Sequence, residues 1–175
     1  MNSVFAHINA LNQDDFTTLF GALYEHSPWI AQQAWKARPF QDEDALLAAF
    51  RDVVAKAPSA AQMLLIREHP ELARKVGVDD TLTAASQNEQ SSAGLDRLTP
   101  AEHARFTASN EVYRAKFDMP FIICVRLSEK DHILNEMERR TRNTADEERR
   151  AALAEIDKIA AIRCRDVLKT LETKA

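Results

Sequence analysis

Three residues carry side chains whose types suit chemistry and whose settings are unusual. His69 is followed by a proline. Glu89, next to Gln90, lies in a stretch almost without apolar side chains. Arg163 falls on what should be the buried stripe of a helix. A histidine titrates near neutral pH and can deliver a proton, a carboxylate can orient N–H groups, and a guanidinium can grip an oxygen-rich ligand with two parallel hydrogen bonds. These residues form a site only if the stretch carrying Glu89 and Gln90 covers a pocket that contains His69 and Arg163. Each also has a plainer reading. A lone histidine is often structural. Glu89 and Gln90 are by default a solvated pair. Arg163 could pack its stem and lift its head to water, or be satisfied by a structural carboxylate.

Other constellations point away from common chemistries. There is no His-Glu-x-x-His pair and no clustered Cys/His set, so no protein-bound metal is expected. Cys124 stands among Ile122, Ile123 and Val125 and reads as a packed small residue, not a nucleophile. Ser91-Ser92 lacks the glycine frame of an esterase elbow. Arg139, Arg140, Arg142, Arg149 and Arg150 alternate with Glu138, Glu147 and Glu148, a pattern that reads as a solvated helical face.

The elements that must position these groups read as helices almost throughout. Phe16, Leu19, Phe20, Leu23 and Tyr24 recur at helical spacing after Asn12 and Asp14. Pro28 and Pro39 bracket a short helix with Trp29, Ile30, Ala34 and Trp35. Asp42-Glu43-Asp44 puts negative charge at the start of a helix that buries Leu46, Ala49, Phe50, Val53 and Val54 and ends near Pro58. Ser59 and Gln62 have capping-box spacing before Met63 to Ile66. Because the residue before a proline resists the helical conformation, His69 is the expected exit from that helix.

Leu82 is the only leucine, isoleucine, methionine or aromatic residue between Gly77 and Gly94. Such a segment cannot offset the roughly 1–2 kcal/mol per residue of backbone entropy by apolar burial alone. Thr83 as cap and Gly94 as stop predict a small polar helix held over a pocket. Thr99 with Glu102 is a second capping box, and Phe106, Asn110, Tyr113 and Phe117 share one stripe of the helix it opens. Pro120 to Val125 is a short extended apolar run. Ile133, Leu134 and Met137 mark a helix ending at Arg139-Arg140. Thr144 to Glu147 caps a last helix reaching about Leu171, with Leu153, Ile156, Ala160, Arg163, Val167 and Leu171 on one face. The expectation is one all-α domain, residues 1–175, of about eight helices with a single extended segment near 120–125.

Composition narrows the function classes. The 175 residues suffice for a hydrophobic core. The net charge of −4 leaves no basic footprint for nucleic acid. No apolar run approaches the ~20 residues of a membrane span, and the N-terminus lacks signal-peptide character. Two cysteines fit a reduced cytosol, so a cytoplasmic location is expected. With only three glycines, phosphate-cradling loops and dinucleotide fingerprints are excluded.

Taken in order, Glu25-His26-Ser27-Pro28-Trp29, Arg38-Pro39-Phe40, His69-Pro70-Glu71-Leu72-Ala73, Ser86 with Glu89-Gln90, Ala93-Gly94-Leu95, Asn110 with Tyr113, Phe117 through Val125, and Ile159 to Arg163 resemble the 2-oxo-4-hydroxy-4-carboxy-5-ureidoimidazoline (OHCU) decarboxylase family of urate degradation. The resemblance spans almost the whole chain. Glu68, where the family often has alanine, and Cys164, where leucine is usual, depart from it. It implies a cofactor-independent carboxy-lyase forming (S)-allantoin, with a small-molecule substrate, no nucleic-acid or membrane partner, and a homodimer left open. Carried over, His69 is the catalytic acid, with Glu89 and Arg163 as catalytic partners. Pro70, the segment Ser86, Gln87, Asn88, Glu89 and Gln90, and the segment Phe121, Ile122, Ile123, Cys124 and Val125 line the substrate pocket. Beside this stand two other readings of the residues: a non-enzymatic helical interaction module, and an isomerase or hydrolase of a related ureido compound.

Overall fold

The computed structural model describes residues 3–73 and 82–173. Among these the regular structure is helical, as expected: α1 (Ser3–Ala10), α2 (Gln13–Phe20), α3 (Trp29–Ala34), α4 (Glu43–Lys56), α5 (Ser59–Arg67), α6 (Ala84–Ser92), α7 (Pro100–Phe117), α8 (Lys130–Arg140) and α9 (Ala145–Glu172), with 3-10 turns at Gly21–Tyr24, Trp35–Ala37 and Val125–Leu127. Helix α1 is the element the periodicity did not mark. Pro120 to Cys124 has no regular structure, in keeping with the extended run read from sequence.

The chain divides into two compact units, Met1–Leu65 with Asp157–Ala175, and Ile66–Ile156. Both boundaries fall inside helices, α5 and α9, and not in a linker.

In the first unit, Phe16, Phe20, Phe40 and Phe50 are fully buried; the Phe16 ring meets the other three and Phe20 meets Phe50, with centroids 4.8–6.2 Å apart. Each such side chain contributes roughly 1.5–3 kcal/mol of transfer free energy. Asn12 caps α2 by accepting from the Asp15 N–H, and Asp42 caps α4 by accepting from the Ala45 N–H. On α4 the buried residues are Leu46, Leu47, Phe50 and Val54. The expected capping box at Ser59 is not formed. Ser59 is already helical, Pro58 O accepts from the Ala61 and Gln62 N–H groups, and the Gln62 amide donates to Val54 O at 2.9 Å. The chain turns from α4 into α5 so tightly that the glutamine reaches the previous helix end.

In the second unit, Phe106, Asn110, Tyr113 and Phe117 form the buried stripe of α7, and Ile133, Leu134 and Met137 that of α8. The capping box of α7 is complete, with Thr99 Oγ1 accepting from the Glu102 N–H and Glu102 accepting from the Thr99 N–H. Thr144 and Glu147 open α9 in the same way.

Candidate active site

Helix α6 is held by its ends and by one polar face instead of an apolar one. Thr83 Oγ1 accepts from the Ser86 N–H at 3.2 Å. At the other end Leu95 N–H returns to Gln90 O and Gly94 N–H to Ser91 O, the paired bonds of a Schellman stop. Gly94 has φ +76°, where a side chain would be strained. Ser86 and Gln90, one turn apart, are the buried residues of the helix. Gln87 and Asn88 are exposed, and Glu89 lies between these extremes.

His69 leaves α5 as the Pro70 argument requires. Its N–H still reaches Ile66 O at 3.1 Å, but the helix ends at Arg67, and both His69 and Pro70 are buried. The turn that follows is fastened by three side chains. Gln90 Oε1 accepts from the Ala73 N–H at 3.0 Å, while its Nε2 donates to Glu71 O at 3.4 Å. Asn110 Nδ2 donates to Leu72 O at 3.0 Å, which explains the amide on the α7 stripe. Arg114 pairs with the buried Glu71 carboxylate. Ala73 adopts φ +58° under these constraints. Gln90, expected to line a pocket, thus uses its amide to bolt α6 to the His69 turn and fixes the register of Glu89.

Phe121 to Val125 is buried at every residue. Helix α6 packs against the 3-10 turn Val125–Leu127 that continues this segment. The Cys124 N–H donates to Glu155 Oε2 at 2.9 Å. Burial, then the Glu155 carboxylate, and to a lesser degree the Glu89 carboxylate push the Cys124 thiol up. A neutral, enclosed thiol is a packing group, as its neighbours suggested. Helix α6, which carries Glu89, is thus packed on the turn that continues the extended segment and tied through Gln90 to the turn that follows His69.

Arg163 lies in the first unit. It is buried, as its stripe position predicted, and its guanidinium is engaged. Nη2 donates to Glu25 Oε1 at 2.6 Å and Nη1 to Leu23 O at 3.3 Å, with side-chain exposures of 7% for Arg163 and 1% for Glu25. Glu25 is the more informative partner. It has φ 53°, ψ −117°, and Ser27 N–H closes onto Tyr24 O at 3.1 Å. Those angles belong to the first central residue of a type II′ turn, a position dominated by glycine. A glutamate held there at a cost of roughly 1–3 kcal/mol marks a carboxylate that must stand where it does. Sequence reasoning anticipated a carboxylate for Arg163 but not which one. The turn signal His26-Ser27-Pro28 beside Glu25 was the clue available.

A second expectation is overturned, after the Ser59 capping box. Arg140 and Glu148 do not belong to a solvated face. Their side chains are 3% and 0% exposed and form a buried ion pair, joined by Tyr113 and Asn143. The end of α8 and the start of α9 each turn one residue of the charged run inward, Arg140 and Glu148, while Arg139, Arg142, Glu147 and Arg150 stay exposed. Among the described residues, no group of three or more His, Cys, Asp or Glu is placed to hold a metal ion, and no helix is long and apolar enough to cross a membrane.

Comparison with known proteins gives one consistent result. A family model described as OHCU decarboxylase matches residues 9–165. The chain is 39% identical over 156 residues to the 2-oxo-4-hydroxy-4-carboxy-5-ureidoimidazoline decarboxylase of Haloferax volcanii, covering 89% of this chain and 90% of that one. Among solved structures it is similar to (S)-allantoin synthase, with TM-score 0.75 and 25% identity, over 93% of this chain and 53% of that one. It also shares the fold of an OHCU decarboxylase solved in the presence of (S)-allantoin, with TM-score 0.68 and 19% identity, over 89% of this chain and 98% of that one.

Proposed function

The chain belongs to the OHCU decarboxylase family, and from that premise we propose how its residues carry out the decarboxylation of OHCU to (S)-allantoin. The protein is a carboxy-lyase. The observation that supports the site best is the joining of three pieces within the second unit. The His69 turn is bolted to α6 through Gln90, and α6, which carries Glu89, packs against the turn that continues the segment ending in Cys124.

The substrate carries its carboxylate on a ring carbon next to a C=N bond. When the carbon–carbon bond breaks, its electron pair moves towards that bond, and the ring nitrogen takes up a proton. The resulting enol then takes a proton on one face of the carbon that bears the ureido group, while its hydroxyl gives up a proton to become the ring carbonyl, so that overall one proton replaces the lost carbon dioxide. That step sets the (S) configuration. His69 is the acid in this proposal, since an imidazole can hold and release a proton near neutral pH. Glu89 orients ring or ureido N–H groups or balances the charge of His69. Arg163, held by Glu25, places the oxygens of the substrate. A tight grip on the departing carboxylate would stabilise the ground state and oppose its loss, so Arg163 acts by orientation. Pro70, the α6 residues from Ser86 to Gln90 and the segment Phe121 to Val125 form the walls. A cytoplasmic location belongs to the same proposal and is supported by two unpaired, buried thiols.

The test uses OHCU generated freshly from urate by an oxidase and the preceding hydrolase, with the circular dichroism of allantoin as readout. The native protein is expected to give fast growth of the (S) signal. His69→Asn, with unchanged far-ultraviolet dichroism, is expected to lose activity by roughly 100-fold or more, the usual range for a general acid. A folded His69→Asn protein that forms (S)-allantoin at the native rate sinks the acid assignment.

A further inference from the structure

The Pro120 to Cys124 segment has neither helix nor ladder to satisfy its backbone, so its polar groups are met one by one, by the Leu127 N–H at the Cys124 carbonyl and otherwise by side chains. The Cys124 N–H finds Glu155. The Ile122 carbonyl accepts from Arg140 Nη1 at 2.7 Å. Arg140 also lies over the Phe121 ring, its guanidinium carbon 4.4 Å from the centroid. Tyr113 meets the same ring edge-on, with centroids 5.3 Å apart and an interplanar angle of 88°. The arginine is itself fixed. Its Nε donates to Glu148 Oε1 at 2.7 Å, and Nη2 and the Tyr113 hydroxyl donate to the same oxygen. Asn143 Nδ2 occupies the other carboxylate oxygen at 2.8 Å.

Any buried pair must satisfy its remaining N–H groups and lone pairs with further hydrogen bonds; what sets this one apart is that one of those bonds, and the ring contact, go to the extended segment. Here one edge of the guanidinium grips a carboxylate oxygen, a third N–H reaches a main-chain carbonyl outside any helix, and the guanidinium carbon lies over the neighbouring aromatic ring. Only the planar fork of arginine can do all three at once. We infer that Arg140, locked by Glu148 and Tyr113, is a positioning residue for the decarboxylation: it sets the placement of the Phe121 to Val125 backbone against the substrate. The inference rests on the reading that this segment lines the pocket.

The experiment separates the two. Backbone amide exchange of the native protein is measured with and without (S)-allantoin. Slower exchange across 121–125 is expected; its absence overturns the pocket reading and the inference with it. Arg140→Lys keeps a charge beside Glu148 but loses the fork, and Tyr113→Phe keeps the ring but loses the hydroxyl. Both are assayed well below their own melting temperatures. In Arg140→Lys, KM is expected to rise about tenfold while kcat changes less than about threefold, the signature of lost uniform binding. The (S)-allantoin protection should fade at 121–125 and persist at 86–90. Tyr113→Phe should show the same pattern at about two- to threefold, and it carries the comparison if Arg140→Lys does not fold. Native protection at 121–125, with KM and protection in the variants unchanged and only the melting temperature lowered, reduces Arg140 to a stabilising role and overturns the inference.

Discussion

Glu25 and Arg163 illustrate how much a single side chain can be asked to do. The carboxylate sits on a residue whose backbone angles suit glycine, and it meets a guanidinium that cannot lose its proton. Removing the carboxylate leaves a buried charge short of its partner, which costs about 3–5 kcal/mol in comparable buried pairs. The backbone term runs the other way, since glycine is at ease at φ 53° and alanine is not. Glu25→Ala and Glu25→Gly should therefore both lower the urea midpoint, and Glu25→Gly by less, with a difference of about 1 kcal/mol. At an ordinary turn position free of positive φ the order is reversed. Equal loss in both variants would mean that the strained angles cost little.

At the level of elements, the helices are specified by their ends more than by their faces. Helix α7 is the clearest case, with proline in its first turn and both capping-box hydrogen bonds made. The Glu102 carboxylate also accepts from Lys130 Nζ at 2.8 Å. Lys130 first, and then the Thr99 N–H, hold the Glu102 carboxyl down at about 2. The folded value is below the unfolded one, so this contribution is complete above about pH 4.5 and is lost as the pH falls towards 2. Urea midpoints measured across that window should decline for the native chain. Glu102→Gln can still cap the helix but cannot titrate, so its decline should be shallower. An identical slope in both proteins would remove Glu102 from the acid response.

Over the whole molecule, each compact unit encloses one cysteine. Cys124 is in the second unit and Cys164 in the first, and both are buried. Burial, ahead of the nearby Glu43 carboxylate, pushes the Cys164 thiol up to about 12, and Cys124 is shifted in the same direction by burial and two carboxylates. A thiol reagent acts on the thiolate and needs access, so both conditions fail in the folded chain. Labelling at pH 8 should be slower than in denaturant by roughly two orders of magnitude or more, and limited by opening of the surrounding structure. Prompt labelling of either residue would show that its unit opens readily.

The chain alone determined most of the helices, because their information is local. Thr83 and Gly94 delimit α6, Thr99 and Glu102 start α7, and the spacing of Phe106, Asn110, Tyr113 and Phe117 marks its buried face. It also singled out His69 at a helix exit and Arg163 on a core stripe, since a proline's steric demand and a charge among apolar residues are visible without coordinates. The tertiary structure decided the partners. Nothing local distinguishes Arg140 and Glu148 from the exposed arginines and glutamates beside them. Nothing in the spacing assigns Gln90 to the His69 turn, or Glu25 to a residue 138 positions later. Those pairings depend on which polar groups lose water when distant segments close on one another. That cost belongs to the folded arrangement and not to any stretch of sequence.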